Sequence, residues 1–128
     1  MTSIEAATLY AGLLLLLMVY LKGNCGFTRM REKIYLGDGG SDPMLRAIRA
    51  QGNAVEDVPV VLIGLFALVG LGVGPVSIHL LGAAFVIARV LHALGMVGGV
   101  GWGRVAGTLI TQLVMMGTAG LCLWHALT

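Results

Sequence analysis

The stretch VPVVLIGLFALVGLGVGPVSIHLLGAAFVIA, residues 58–88, runs for 31 residues without an Asp, Glu, Lys or Arg. A helix rising 1.5 Å per residue needs about 20 residues to cross the roughly 30 Å of bilayer hydrocarbon, so the run is too long for one crossing. Its middle, GLGVGP at 70–75, has helix-ending chemistry, because glycine leaves a helix easily and proline cannot continue one. The run therefore holds the end of one membrane helix and the start of the next. Toward the N-terminus, AATLYAGLLLLLMVYL at 6–21 supplies 16 uncharged residues between Glu5 and Lys22, and about four flanking residues complete a span. A cleavable signal peptide would carry a basic n-region, whereas here an acid precedes the run and the cations follow it. Toward the C-terminus, residues 105–128 are again free of charge, long enough for a fourth crossing. The expected fold class is all-α, an integral membrane bundle of four transmembrane helices forming one domain over residues 1–128.

Composition excludes the soluble alternative. Of the 128 residues 58% are hydrophobic and 11% charged, with a mean hydropathy of +0.94, which leaves too little polar surface for a water-soluble domain of this size. A net charge of +2 with eight scattered cations makes no nucleic-acid footprint. Cys25 and Cys122 stand too far apart in sequence for a metal-ligand spacing or a disulfide framework, so no metal is expected and both read as packing residues. Lys22, Arg29, Arg31, Lys33, Arg46 and Arg49 flank a first connection at about 27–42, Arg89 and Arg104 flank the third, and the second has none. Because Lys and Arg are retained on the cytoplasmic side, the first and third connections are expected there and both termini opposite. Asp38, Gly39 and Gly40 in the first connection read as a polar turn, not a phosphate cradle, since no strand precedes them and no Gly-Lys-Ser/Thr follows.

The informative residues are those a membrane helix should not contain. With about 100° per residue and Arg49 at zero, Arg46 falls at about +60°, Asn53 at about +40° and Glu56 at about −20°. Interfacial snorkelling explains Arg46 but not Glu56, which lies a turn deeper, so this stripe is expected to face protein or a wet cavity. Arg89, His92 and Met96 share a face of the third helix, at about 0°, −60° and −20°. Taken singly, His92 reads as a packing histidine and Met96 as core filler. Arg89 is about 12 Å inside its span and needs an acid, for which Glu56 is the expected partner, within a subunit or between subunits. The fourth helix opens with Arg104 and continues with Thr108, Thr111 and Gln112 at about +40°, −20° and +80°, although threonines often return a bond to their own helix. Arginines from three helices, with one buried acid, Glu56, and one amide, Asn53, expected between them, suit an anionic, peptide-like ligand, Glu56 accepting from its ammonium or holding the arginines in place, and a cation beside a thiol favours the thiolate by about 1.4 kcal/mol per pKa unit.

The segment RAIRAQGNAVEDVP at 46–59 resembles the second-helix signature of the membrane-associated proteins in eicosanoid and glutathione metabolism, the MAPEG family, and especially its small bacterial members. Arg49, Asn53, Glu56 and Pro59 match its glutathione-site positions. ARVLHALGM at 88–96 resembles the third-helix end, with Arg89 and His92 at site positions, and Arg104 in RVAGTLITQL resembles the arginine that stabilises the glutathione thiolate. The resemblance implies a left-handed four-helix subunit, a homotrimer in the membrane lipid, placement in a bacterial inner membrane, and active sites between neighbouring subunits on the cytoplasmic side. It implies glutathione as cofactor or co-substrate, held by Arg49, Asn53, Glu56, Arg89 and His92 and activated by Arg104. Met96 and Thr108 would line the place of a small hydrophobic substrate. The expected activity is that of a glutathione transferase or peroxidase. Met96 stands where eicosanoid-producing members have a tyrosine, which argues against an eicosanoid synthase and leaves a catalytically silent lipid- or protein-binding scaffold as the alternative. A four-helix drug transporter would call for an acid midway along the first helix, and that run has none.

Overall fold

The computed structural model describes all 128 residues as four helices with no strand: α1 (Ser3–Glu32), α2 (Asp42–Gly70), α3 (Pro75–Val97) and α4 (Gly101–Leu127). Each is long and apolar enough to cross a membrane. Their buried residues recur at steps of three and four, or their sum of seven: Ala7, Tyr10, Leu14, Leu21, Cys25 and Thr28 on α1, and Ala47, Ala50, Ala54, Val58, Val61, Leu65 and Leu68 on α2. The same spacing gives Ile78, Gly82, Phe85, Arg89, His92 and Met96 on α3, and Gly103, Gly107, Thr111, Val114 and Thr118 on α4. A seam repeating about every 3.5 residues is slightly underwound against the α-helix, the pattern of left-handed helix packing. The opposite faces carry exposed Leu15, Leu16, Val19, Ile63, Leu80, Ile87, Leu109 and Leu113, as a bilayer solvent permits.

The two central helices are α2 and α3; α1 and α4 pack on either side and do not touch each other. The α3–α4 crossing is close because small residues face it. A Cβ on Gly95 would fall 2.2 Å from the backbone nitrogen of Arg104, one on Gly107 2.5 Å from the Ala88 carbonyl oxygen, and one on Gly103 2.8 Å from that of Leu91. Gly103 and Gly107 make a small-xxx-small pair, which lets backbones approach and gain dispersion energy where lipid offers no hydrophobic drive. Between α1 and α3, Gly82 receives the ring of Tyr10, whose hydroxyl lies 2.8 Å from Nδ1 of His79.

The connections are 33–41, 71–74 and 98–100. The first is shorter than the composition suggested, because α1 runs on to Glu32 and carries Arg29 and Arg31 on its last turn. It reverses through Lys33, Gly37, Gly39 and Gly40, all at positive φ, and is a polar turn. Gly40 N–H donates to Asp38 Oδ1 at 3.0 Å, Arg29 Nη1 donates to the Gly37 carbonyl at 2.8 Å, and Ser41 caps α2 by accepting from Met44 N–H. Pro59 sits within α2 without ending it. Antiparallel neighbours bring the end of α1, the start of α2, the C-terminal half of α3 and the start of α4 together, so all eight cations gather in one half of the bundle.

Candidate functional site: a cleft at the cationic end

A cleft of about 420 Å³ opens there between α2, α3 and α4, lined by Arg46, Arg49 and Asn53 on one wall, Gly95 and Met96 on its floor and Arg104 opposite. Each position has a local cause. Arg46, Arg49 and Asn53 share a face because they are three and four residues apart on α2. Arg104 reaches the cleft because Gly95 lets the first turn of α4 lie directly on α3. Arg46 also donates from Nε to Asp42 Oδ2 at 2.8 Å, an exposed i,i+4 pair. A smaller polar cavity of about 280 Å³, reached by Asn24, Thr28 and Arg31, shares Asp42, Arg46 and Gly99 with the cleft.

The other expected site residues lie elsewhere. Arg89 is buried in the interior of the bundle, 2% exposed, with His92 at 4%. Within the chain its acid is Asp57 and not Glu56: Nη1 donates to Asp57 Oδ2 at 2.9 Å, while Nη2 is 3.4 Å from Nδ1 of His92. Nε finds no acceptor in the chain. The reason is rotational. Asp57 flanks the buried stripe of Ala50, Ala54 and Val58, whereas Glu56, one residue and about 100° away, points outward and is exposed. Thr108 does not line the cleft; it is exposed and donates to the Arg104 carbonyl at 2.9 Å, the backbone return open to any helical threonine. Met96 both lines the cleft and belongs to the main apolar cluster. No tyrosine joins it, for Tyr10 pairs with His79 in the other half of the bundle, and Tyr20 and Tyr35 are exposed.

An apolar groove of about 550 Å³ lies between α2 and α4 farther along the bundle, lined by Val60, Ile63, Ala67, Met115, Met116 and Cys122 among others.

Four membrane-crossing helices with arginines converging on one end define a class of small integral membrane protein with an arginine-lined cleft. The signature of the MAPEG family matches residues 7–124, and the chain belongs to that family. It is similar to the inner membrane protein YecN of Escherichia coli K12, 30% identical over 89 residues that make up 70% of this chain and 68% of that protein. The YecN of Escherichia coli O6:H1 matches to the same extent.

Proposed function

We propose that this protein binds glutathione at the cationic end and uses it, as a glutathione transferase or peroxidase, on small apolar electrophiles arriving from the bilayer. The observation that carries this reading is the convergence of Arg49, Asn53 and Arg104 on one cleft. Glutathione is a tripeptide with two carboxylates, amides and a thiol; guanidinium forks match carboxylates, and an asparagine side chain matches a peptide group. Arg104 would favour the thiolate over the thiol, by about 1.4 kcal/mol for each unit of lowered pKa. In transfer, the thiol proton passes to solvent, the sulfur forms a bond to the electrophilic carbon, and the leaving group departs with the electron pair of the bond that breaks. The apolar groove between α2 and α4 supports entry of such a substrate sideways from lipid.

The assembly that goes with this reading is a homotrimer. Arg49 and Glu56 are exposed on the outward face of α2 in line with Val60 and Ile63. Charges are expensive against acyl chains, and neighbouring copies would cover them and place Glu56 beside an adjoining cleft. The inner membrane, named for the YecN relatives, is the location we assign, with the first and third connections cytoplasmic because cations are retained there and the termini opposite.

Isothermal titration of glutathione into the detergent-solubilised protein tests the site. Micromolar to millimolar binding is expected, weakened at least tenfold in Arg104→Ala and in Arg49→Ala. Unchanged binding in both variants removes the assignment. Met96 and the distance of every tyrosine from the cleft favour one second reading, a silent scaffold that binds lipid or a protein partner. A chlorodinitrobenzene conjugation assay separates the two, since a scaffold gives no turnover above the uncatalysed rate.

A further inference from the structure

One face of α1 changes character along its length. Leu17, Tyr20, Asn24, Thr28 and Arg31 follow one another at steps of three and four, so the helix turns them all to one side. From 17 to 31 the order runs from an apolar side chain through a tyrosine and an amide to a cation, over about 21 Å at 1.5 Å per residue. One leaflet with its headgroups, half of a bilayer of roughly 40–45 Å, has about that depth. Two cavities lie along this stripe. The polar cavity of about 280 Å³ beside the cleft takes Asn24, Thr28 and Arg31 from it, with Asp42 and Arg46 of α2 opposite. An apolar groove of about 190 Å³ takes Leu17 and Tyr20, with Val90, Ala93 and Leu94 of α3 opposite. Val97 and Gly98 line both, so the two meet at the end of α3 and form one groove, cationic at its mouth and apolar further along the bundle. Tyr20, Val90 and Leu94 are exposed, which opens the apolar part to lipid between α1 and α3, away from the groove between α2 and α4.

The polar end has donors to spare. Arg31 Nε stands 3.6 Å from Glu32 Oε1, too far for a hydrogen bond. Arg46 gives its Nε to Asp42 at 2.8 Å and keeps both terminal nitrogens, one of them over Gly99, where even a Cβ would stay 3.9 Å away. Thr28 returns its hydroxyl proton to the Asn24 carbonyl at 2.7 Å, while the Asn24 side-chain amide has no partner within the chain. Two guanidinium cations against the one carboxylate of Asp42 leave the lining of the cavity a single positive charge in excess. A ligand that matches the whole groove therefore brings one negative charge, oxygens for the arginine forks and a hydrocarbon chain. Basic pockets between membrane helices receive anionic lipid headgroups on the same grounds.

We propose that this groove is a site for one phospholipid of net charge −1, its phosphodiester held by Arg31 and Arg46 and its acyl chain laid between α1 and α3, with Asn24 donating to an oxygen at the join. A zwitterionic lipid carries an ammonium that leaves the excess charge unmatched, so the site prefers the anionic one. The assignment is independent of the glutathione reading, since neither Asn24 nor Arg31 lines the cleft. Native mass spectrometry of the full-length protein in mild detergent tests it, with phosphatidylglycerol and phosphatidylcholine of identical chains as probes. One cation near a membrane surface is worth about fivefold in binding. The wild type is therefore expected to retain phosphatidylglycerol about fivefold more tightly, and Arg31→Gln, a change at an exposed side chain, to lose most of that preference without a change in melting temperature. Equal retention of the two lipids by the wild type, or an unaltered preference in Arg31→Gln, overturns the proposal. Leu94→Ser, also at an exposed position, should weaken both lipids alike; if it leaves both unchanged, or alters the oligomeric mass instead, the face is not a lipid groove. Glycerophosphoglycerol, the same headgroup without chains, should not be retained at the concentration at which the lipid is, and retention equal to that of the lipid would make this a site for a free anion and refute the lipid assignment.

Discussion

Replacing Gly95 by alanine tests how the cleft is built. A Cβ there would lie 2.2 Å from the Arg104 backbone nitrogen, 2.7 Å from its Cα and 2.8 Å from its Cβ, all inside the 3.4 Å at which ordinary contact begins. Backbone atoms cannot swing aside, so the first turn of α4 must retreat from α3 by about 1.2 Å, the gap between 2.2 and 3.4 Å. Overpacking of this kind costs about 1–3 kcal/mol. The better helix propensity of alanine returns at most about 1 kcal/mol, so destabilisation is the net expectation. Because the displaced residue is Arg104 itself, ligand geometry suffers as well, and an error near 1 Å at a positioned group can cost on the order of 100-fold in rate. Gly117→Ala on the same helix is the control, since its Cβ would meet Leu81 Cδ2 at 3.6 Å, an ordinary contact. Thermal unfolding in detergent and glutathione titration on both variants provide the assay. Gly95→Ala should melt lower and bind at least tenfold more weakly, whereas Gly117→Ala, which gains helix propensity without a clash, should melt at or slightly above the wild type and bind as it does. The reasoning fails if Gly95→Ala melts at or above the wild type, or if the two variants lose equally.

Asp57→Ala should lose about 3–5 kcal/mol in chemical or thermal unfolding, since it strands a buried guanidinium, and Glu56→Gln should lose clearly less; the opposite order would restore Glu56 as the structural partner. Asp57→Leu combined with Arg89→Met should recover most of that loss, because an apolar pair of similar volume replaces a costly buried ion pair. Tyr10→Phe should cost about 0.5–1.5 kcal/mol by calorimetry, the worth of the bond to His79 at 2.8 Å, with glutathione affinity unchanged. Asp42→Asn should move stability by no more than about 0.5 kcal/mol, because its pair with Arg46 is exposed on both sides; a larger effect, read from melting curves, would mean the pair is covered in the assembled protein.

The polar residues divide by how their positions are encoded. Arg46, Arg49 and Asn53 could be grouped from spacing alone, because one helix turns them to one side whatever surrounds it, and the structure keeps them on one wall of the cleft. The partner of Arg89 could not be reached that way. A wheel centred on Arg49 selects its own face and with it Glu56, while the face that enters the bundle is marked by Ala47, Ala50, Ala54 and Val58. Read from those small residues, at about +100° to +180° from Arg49, Asp57 at about +80° is the nearer acid and Glu56 at about −20° the remote one. The signal was present, but it lay in the alanines and not in the charges. Gly103 and Gly107 likewise announce close packing, yet nothing in their spacing says that Ala88 and His92 are what they approach.

The amino-acid sequence alone determined that there are four membrane helices, where they break, and that the cations collect in one half of the bundle, because hydropathy, helix-ending residues and charge placement are local properties a bilayer reads segment by segment. Only the tertiary structure decided that Arg104 closes the cleft opposite Arg49, that Arg89 turns inward to Asp57, and that Glu56 and Thr108 face away. Those outcomes depend on the rotation and depth of each helix against its neighbours, which close glycine contacts and the matching of buried charges set jointly and no single segment contains.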